Sequence, residues 1–485
     1  MDRLKVFMLN PPFLKRYSRS QRNPGVTRSD TMYYPYWMAY ATGALEKAGF
    51  GVMFIDAPAA GLDYAEIERR AVEFKPNMIV LDTSTPSIHN DLRVLNMLKD
   101  KFPEAKGVLV GTHATAMTDE TFGFSDKIDY IVRGEYDYTL RELAIALENG
   151  VEPKKLEGVS YRENGSIMHN AARPLIQDLD ELPFVSEVYK RHLNIFDYFN
   201  PDCLFPNVTI LTGRGCPYRC TFCLWTATLS GYKTRFRSVD LVLDELMYIQ
   251  NEFPDARAVF FEDDIFTINE KRCIELCEGM IKRGFKLPWN ANTRADISFE
   301  TLKAMKASGC RALCVGFETG NQEIIDAYGK RLKVEDYYTF AKNARKAGIH
   351  MHGCFIVGGP GESRITMEKT LKMACELKPD TAQFYPLMVY PGTVEFERMR
   401  ERGMLVTEKY EDWLTPDGLH NCVIRTEDSS PEELIRWCDH ARRVFYLRPS
   451  FLWYKFWQAV GDGEERKRTT KAFKVFVKHL YRPSI

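Results

Sequence analysis

The sequence predicts an α/β protein: an N-terminal doubly wound parallel sheet, then a partial (β/α)6 barrel, then a helical C-terminal region. Three observations predict this. Short apolar runs alternate with helical patterns from Lys5 to about residue 150 and again from about residue 206, the signature of parallel sheets covered by helices. The second series holds about six strand–helix units, too few to close an eight-stranded barrel. At 485 residues the chain is too long for one core.

In residues 1–150 the strands are expected in KVFMLN, GVMFIDA, MIVLDTS and GVLVG, separated by helical stretches such as YWMAYATGALEKAG and DLRVLNMLKDKF. Such sheets bind ligands at the carboxyl ends of their strands, so Asn10, Asp56, Thr83, Ser84, Gly111 and His113 are expected along one edge. Neither GxGxxG nor a P-loop is present, which argues against a dinucleotide or a nucleoside triphosphate. Residues 151–205 read as a connector, with a hairpin in VSYRENGSIMHN turning at Asn164–Gly165. Residues 206–400 carry the second series, from NVTILTG to TAQFYPLMVY, and residues 401–485 the C-terminal region. No fixed-period repeat supports a solenoid.

Composition narrows the function classes. Apolar residues make up 45% and charged residues 27%, ordinary for a folded soluble chain. Lys+Arg and Asp+Glu are both 66, so no global field draws the chain to nucleic acid. MDRLKVFMLNPPF lacks the apolar core of a signal peptide, and no stretch is apolar enough for a transmembrane helix. A cytoplasmic protein is expected, its 12 cysteines being thiols or metal ligands.

The chemistry concentrates in TGRGCPYRCTFCLW, where Cys216, Cys220 and Cys223 fall within eight residues at the end of the first strand of the second series. A structural zinc site takes four protein ligands, usually in two pairs. The next cysteines, Cys273 and Cys277, are four apart in a helical pattern and suit a helix face instead. Three thiolates suit a cubane iron–sulphur cluster with one iron left open, where a small molecule binds. Three incidental buried thiols are the bland alternative.

Cys216-Pro217-Tyr218-Arg219-Cys220-Thr221-Phe222-Cys223 matches CxxxCxxC and resembles the radical S-adenosylmethionine (SAM) enzymes, with Phe222 as the aromatic residue before the third cysteine. The resemblance implies a 4Fe-4S cluster on the three cysteines, an open iron chelated by SAM, and reductive cleavage of SAM to a 5'-deoxyadenosyl radical. VFFEDDIF places Glu262, Asp263 and Asp264 where the family holds the SAM amino group; the alternative is a solvated helix start. WNANTRAD supplies Asn290, Asn292 and Arg294, and a guanidinium suits the SAM carboxylate. VGFETG contributes Glu318, and FIVGGPGES contributes Gly358, Gly359 and Gly361, where backbone approaches adenine and ribose.

NPPF, IDAP, TSTPS, GTHAT and VRGEYDYT follow the order found in cobalamin-binding domains that precede the radical SAM core in one subclass, which adds Glu135 and makes His113 a pocket candidate. The Asp-x-His-x-x-Gly motif that supplies a cobalt ligand elsewhere is absent. Within the subclass, TSTPS, GEYDYT, GRGCPYRCTFCLW and FYLRP resemble the hopanoid-biosynthesis-associated proteins of the cyclitol-ether head-group pathway. This implies a hydrophobic, lipid-linked substrate, a radical rearrangement of its sugar-like head, and a flavodoxin- or ferredoxin-type electron donor. Cobalamin-dependent C-methylation, oxidative cyclisation of the Mg-protoporphyrin monomethyl ester type, and a non-catalytic iron–sulphur protein are the alternatives. Tyr385 and Tyr390 are candidates for the substrate side, or for the core.

The C-terminus speaks to the substrate separately. Phe445, Tyr446, Phe451, Trp453, Tyr454, Phe456 and Trp457 fall within thirteen residues, and beyond Glu465 the chain carries Arg466, Lys467, Arg468, Lys471, Lys474, Lys478 and Arg482 with no acid. This suits peripheral contact with the inner face of an anionic membrane. A core-capping helix followed by a solvated tail is the alternative.

Overall fold

The computed structural model describes residues 3–461, 463 and 466. Seven strands form the first sheet: β1 (Lys5–Asn10), β2 (Gly51–Asp56), β3 (Met78–Thr83), β4 (Lys106–Gly111), β5 (Tyr130–Val132), β6 (Val159–Glu163) and β7 (Ser166–His169). Their order is β2-β1-β3-β4-β5-β6-β7, parallel through β5 and antiparallel beyond it. β3 is buried along its whole length, which is why its sequence opens on the unbroken apolar run MIVL. The order reverses between β1 and β3, so Asn10 and Thr83 flank the switch point. The expected hairpin turns at Asn164 and Gly165, at φ of 49° and 82°, and extends this sheet past residue 150 to His169.

The second sheet begins with β8 (Asn207–Ile210), followed by a short antiparallel ladder of β9 (Gly213–Arg214) with β10 (Arg235–Phe236). It continues through β11 (Ala258–Phe261), β12 (Trp289–Thr293), β13 (Cys310–Glu318), β14 (His350–Val357) and β15 (Thr381–Pro386). All six strands are parallel and pair in chain order, the open (β/α)6 arrangement. Phe317, Phe355 and Phe384 stack at 5.6 and 5.0 Å and meet Tyr337, Phe340, Trp437 and Phe445 on the covering helices. Because successive residues of a strand face opposite ways, His352 and Cys354, which alternate with Phe355, face the concave side.

Side chains cover both edges of this sheet. Along β15, Tyr446 of the helix Pro431–Leu447 accepts from Ala382 N at 2.9 Å and donates to Ala382 O at 2.7 Å. Along β8, Tyr34 OH donates to Asn207 O at 2.8 Å, and Tyr40 OH accepts from Leu211 N at 3.3 Å. These backbone groups are thus satisfied without another strand. Two buried ion pairs join the first domain to the ladder: Arg214 grips Asp137 through two bonds of 2.8 and 3.0 Å, and Arg235 grips Glu135 at 2.6 and 2.9 Å.

The helix Pro449–Gly461 lies against the barrel through buried Phe451 and through Tyr454 OH, which donates to Asp380 Oδ1 at 2.6 Å. Trp453, Phe456, Trp457 and Val460 recur at the spacing of one helix face and are 54–65% exposed. The aromatic segment therefore divides, with Phe445 and Phe451 inward and these four outward. No described helix is long and apolar enough to cross a membrane. Lys467, Arg468, Lys471, Lys474, Lys478 and Arg482 lie outside the described residues.

Candidate functional site

The β9–β10 ladder pinches residues 215–234 into a closed loop that carries the three cysteines. Gly215 sits at φ 87°, where a Cβ would meet Lys233 O at 2.2 Å, so only glycine lets the loop fold back here. Cys216 N donates to Gly231 O at 3.2 Å and Thr221 N to Tyr328 O at 3.0 Å; Cys223 begins the short helix Leu224–Thr228. All three cysteines are free and half-buried. Burial pushes the Cys216 thiol up to about 12 and the Cys220 thiol up to about 11, so a bound metal must displace protons from them. Three thiolates on one loop suit a cubane cluster.

The strand ends around the loop divide into those that build it and those left open. Asp263 is tied to the end of β8, accepting from Thr212 N at 3.0 Å and Thr212 Oγ1 at 2.8 Å, and Asp264 accepts from Gly215 N at 2.9 Å. Both hold the loop. Glu262 Oε1 accepts from Arg22 at 2.8 Å and from Asn292 Nδ2 at 3.2 Å, while buried Glu262 Oε2 has no hydrogen-bond partner among the described residues. The unpartnered Oε2 gives Glu262 spare capacity for an ammonium group. Asn290 turns elsewhere, donating to Asp202 O at 2.8 Å.

Arg294, expected at a SAM carboxylate, is engaged already: it donates to Lys330 O at 2.9 Å and Arg331 O at 3.3 Å, pairs with Asp296, and lies 3.6 Å over the Tyr218 ring. It clamps the cysteine loop. Glu318 pairs with Lys330, whose Nζ also donates to Gly316 O at 2.7 Å. Phe222 packs edge-on against Tyr328 at 4.9 Å, and a Cβ on Gly359 would lie 2.0 Å from Tyr328 OH, so that glycine is required by the tyrosine. Gly358 adopts φ 88°, and Gly361 φ 74° with open space around it. Tyr385 is half-buried and Tyr390 fully buried, which puts Tyr390 in the core. Arg22, Lys330 and Tyr328 contact the candidate residues Glu262, Glu318 and Phe222 without a motif to announce them.

The N-terminal edge is largely stitched to itself. Asn10 donates to Asp56 Oδ1 at 2.8 Å and accepts from Arg19 at 2.6 Å, Tyr198 OH donates to Asp56 at 3.1 Å, and Ser84 meets Tyr17 OH at 2.7 Å. Thr83 Oγ1 donates to Val110 O at 2.7 Å. Gly111 sits at φ 102°, where a Cβ would strike Asp82 and Thr83. Burial holds the His113 imidazole down to about 3, so it is neutral, and it faces Thr85 at 3.2 Å and the Tyr410 ring at 4.7 Å. Glu135 serves as a strut to Arg235 and Ile176 N rather than lining a cavity.

Between the domains, Arg19, Ser20, Trp37, Asp82, Thr83, Gly111, Thr112, Tyr136, Trp225 and Leu229 enclose a cavity of about 10 Å³. Ser20 Oγ, Trp37 Nε1 and Thr112 Oγ1 are buried without hydrogen-bond partners among the described residues. These orphaned donors fit the amide-rich rim of a corrinoid. His113 does not line the cavity, so no imidazole is offered to cobalt there. At this size the cavity holds about one water, and a larger group enters only if the lining moves.

A three-cysteine loop on a partial barrel, behind a doubly wound sheet with an orphan-lined seam, defines a metalloenzyme of two cofactor domains. Residues 210–374 match the model of the radical SAM superfamily, and residues 23–144 that of the B12 binding domain. An uncharacterized methyltransferase of Pyrococcus horikoshii is 31% identical over 93% of this chain and 94% of its own length. The anaerobic magnesium-protoporphyrin IX monomethyl ester cyclase of Cereibacter sphaeroides is 29% identical over 92% of this chain and 71% of its own. Among solved structures, the cobalamin-dependent SAM radical enzyme OxsB, with aqua-cobalamin and SAM bound, superposes with a TM-score of 0.69 at 16% identity, covering 98% of this chain and 72% of that one. The chain belongs to the cobalamin-dependent radical SAM enzymes, whose cofactors are a 4Fe-4S cluster, SAM and cobalamin.

Proposed function

We propose that this enzyme transfers a methyl group to an unactivated carbon of an apolar substrate. The observation that carries it is the shared seam: the helix that follows Cys223 and the residue after that helix contribute Trp225 and Leu229 to the cavity that Asp82, Thr83 and Thr112 line from the other domain. Cluster loop and B12-binding edge therefore meet at one place. Methyl transfer is the reading that the Pyrococcus methyltransferase and the bacteriochlorophyllide d C-12(1)-methyltransferase of Chlorobaculum tepidum suggest by their names.

When bound, the cluster with SAM supplies one-electron cleavage of a sulfonium, and cobalamin supplies a transferable methyl group. Cys216, Cys220 and Cys223 hold the cluster as thiolates. Glu262 Oε2 accepts from the SAM amino group, and Gly361 leaves backbone room beside the adenosine. Asp263, Asp264 and Arg294 keep the loop in one geometry, and the concave side, with Tyr385 at its rim, receives the substrate and excludes water. Electrons come from a flavodoxin- or ferredoxin-type donor.

The outward face of the helix Pro449–Gly461 favours a substrate drawn from a lipid phase. Four exposed apolar side chains on one face, with seven Lys and Arg and no acid in the sequence beyond Glu465, suit an anionic bilayer surface. Rearrangement of a hopanoid-like head group is the second reading, and that helix face is its support. The test is anaerobic reconstitution with iron, sulfide and cobalamin, then incubation with SAM, a reductant and a membrane lipid extract, with Cys220→Ala as control. A cysteine-dependent lipid product heavier by one CH2 supports methyl transfer; an isomer of unchanged mass supports rearrangement; absence of 5'-deoxyadenosine and S-adenosylhomocysteine alike overturns both.

A further inference from the structure

On the concave face, a second group of metal-ligand side chains, distinct from the three loop cysteines, comes together. Cys314 on β13 and His352 and Cys354 on β14 have ligand atoms all within 4.8 Å of one another, and the two sulfurs are 3.7 Å apart. The strands put them there: β13 and β14 pair in parallel with Cys314 opposite His352 and Gly316 opposite Cys354, and His352 and Cys354 share a face by the two-residue period. Two thiolates bound at about 2.3 Å to one tetrahedral ion are separated by roughly 3.8 Å, so the sulfurs already stand at the spacing of a shared metal. The imidazole is oriented from outside. His352 Nδ1 lies 2.8 Å from Thr381 Oγ1 and 3.6 Å from Asp202 Oδ1, and metal-bound histidines commonly turn their other nitrogen to such partners.

We propose that Cys314, His352 and Cys354 form a mononuclear metal site of the zinc class, separate from the iron–sulphur cluster, with its fourth position open to the concave cavity. Two thiolates and one imidazole are the donor set that zinc takes in preference to magnesium or calcium. Three protein ligands with one open position is the pattern of a site that binds an exogenous group rather than a purely structural one. The group it takes is a neutral or anionic oxygen, nitrogen or sulfur donor on the substrate. The site is also near the cofactor end: a Cβ on Gly316, the residue opposite Cys354, would meet Glu318 Oε1 at 2.3 Å and Lys330 Nζ at 2.9 Å, so that ion pair lies beside the neighbouring strand position. A substrate ligated here would be held on the side of the barrel that faces SAM.

The test measures metals in the full-length protein with the cluster in place. After anaerobic reconstitution with iron and sulfide, incubation with one equivalent of zinc and passage over a chelating resin, iron and zinc are counted by mass spectrometry. The expected result is about one zinc per chain beside the cluster iron. Cys314→Ser and Cys354→Ser should each lower zinc at least tenfold and keep the iron, whereas Cys216→Ala should lower iron and keep the zinc. Should the serine variants fold poorly, cobalt added to the reconstituted wild type must give a thiolate-to-cobalt charge-transfer band that added zinc abolishes. Zinc lost from the wild type on the resin, zinc retained by the Cys314→Ser/Cys354→Ser double variant, or thiol titration showing these two cysteines joined as a disulfide overturns the proposal, and none of these outcomes touches SAM cleavage.

Discussion

Arg22 Nη1 donates to Glu262 Oε1 across 2.8 Å, an ion pair that brings the segment after β1 onto the end of β11. The Arg22 guanidinium also lies 4.6 Å over the Trp225 ring, beside the cysteine loop. Burial raises the Glu262 carboxyl to about 7, and Arg22 works against that rise. An ammonium group is held by the carboxylate form alone. SAM affinity should therefore weaken as pH falls below about 7. Arg22→Met removes the cation, raises the carboxyl further, and should shift the affinity profile to higher pH. Equilibrium dialysis of SAM across pH reads this, and a profile unmoved by the substitution would remove Glu262 from the SAM site.

Four buried acids share one sign. Burial raises Asp56, Asp82 and Glu262 to about 7 and Asp263 to about 6. Between the ordinary carboxyl range and these values the native state binds more protons than the unfolded chain, so stability falls as pH rises through this window and levels off above it. The unfolding temperature of the cofactor-free protein should be higher at pH 6 than at pH 8. Asp56→Asn should flatten that slope, with calorimetry at the two pH values as the check.

Asp137 is fully buried and meets Arg214 with both oxygens, while Arg214 also lies 4.5 Å over the Trp37 ring. Asp137→Ala leaves a buried guanidinium without its partner and should cost about 3–5 kcal/mol, because the desolvated charge is left uncompensated. Urea denaturation measures the cost. A loss under about 1 kcal/mol would mean that water or Glu135, 3.6 Å from Arg214, takes over the charge.

Gly215→Ala places a Cβ against Lys233 O at a residue with φ 87°. The loop should fail to close, so iron content after reconstitution should drop severalfold while circular dichroism of the rest of the protein stays unchanged. Full iron loading of this variant would show that the loop's geometry is set elsewhere.

For the outward helix face, replacing Trp453, Phe456 and Trp457 by serine together should abolish cosedimentation with anionic vesicles and leave the unfolding temperature within a degree or so, since these side chains stand in solvent. Retained vesicle binding would assign any membrane contact to another surface, and a large loss of stability would show that the face packs against protein.

The three cysteines and the run of strand ends were legible in the sequence because their chemistry is local: a spacing of four and three residues, and polar residues where an apolar run stops. The division of labour among those ends was not. Asp263 and Asp264 serve Thr212 and Gly215, about fifty residues away, and Arg294 serves the Lys330 and Arg331 carbonyls. Nothing in VFFEDDIF or WNANTRAD distinguishes a carboxylate that holds a loop from one with an oxygen to spare. The N-terminal edge was legible as an edge, but its stitching by Tyr17 and Arg19 was not, since NPPFLKRYSRSQ carries no periodic signal. Composition likewise showed an aromatic segment near the C-terminus and left unresolved which rings turn inward, a question that docking against β15 and Asp380 decides.

The hydroxyls of Tyr34 and Tyr40, which bond backbone groups at the start of β8 and just past its end, bear on how this protein can be taken apart. The barrel borrows its guard from the other domain. A fragment beginning at β8 would present a bare strand end to every other copy in solution, and parallel sheets with raw edges recruit one another. Such a fragment is a poor object for study, and exchange of the B12-binding domain for a foreign one would succeed only if the two tyrosines travelled with the barrel.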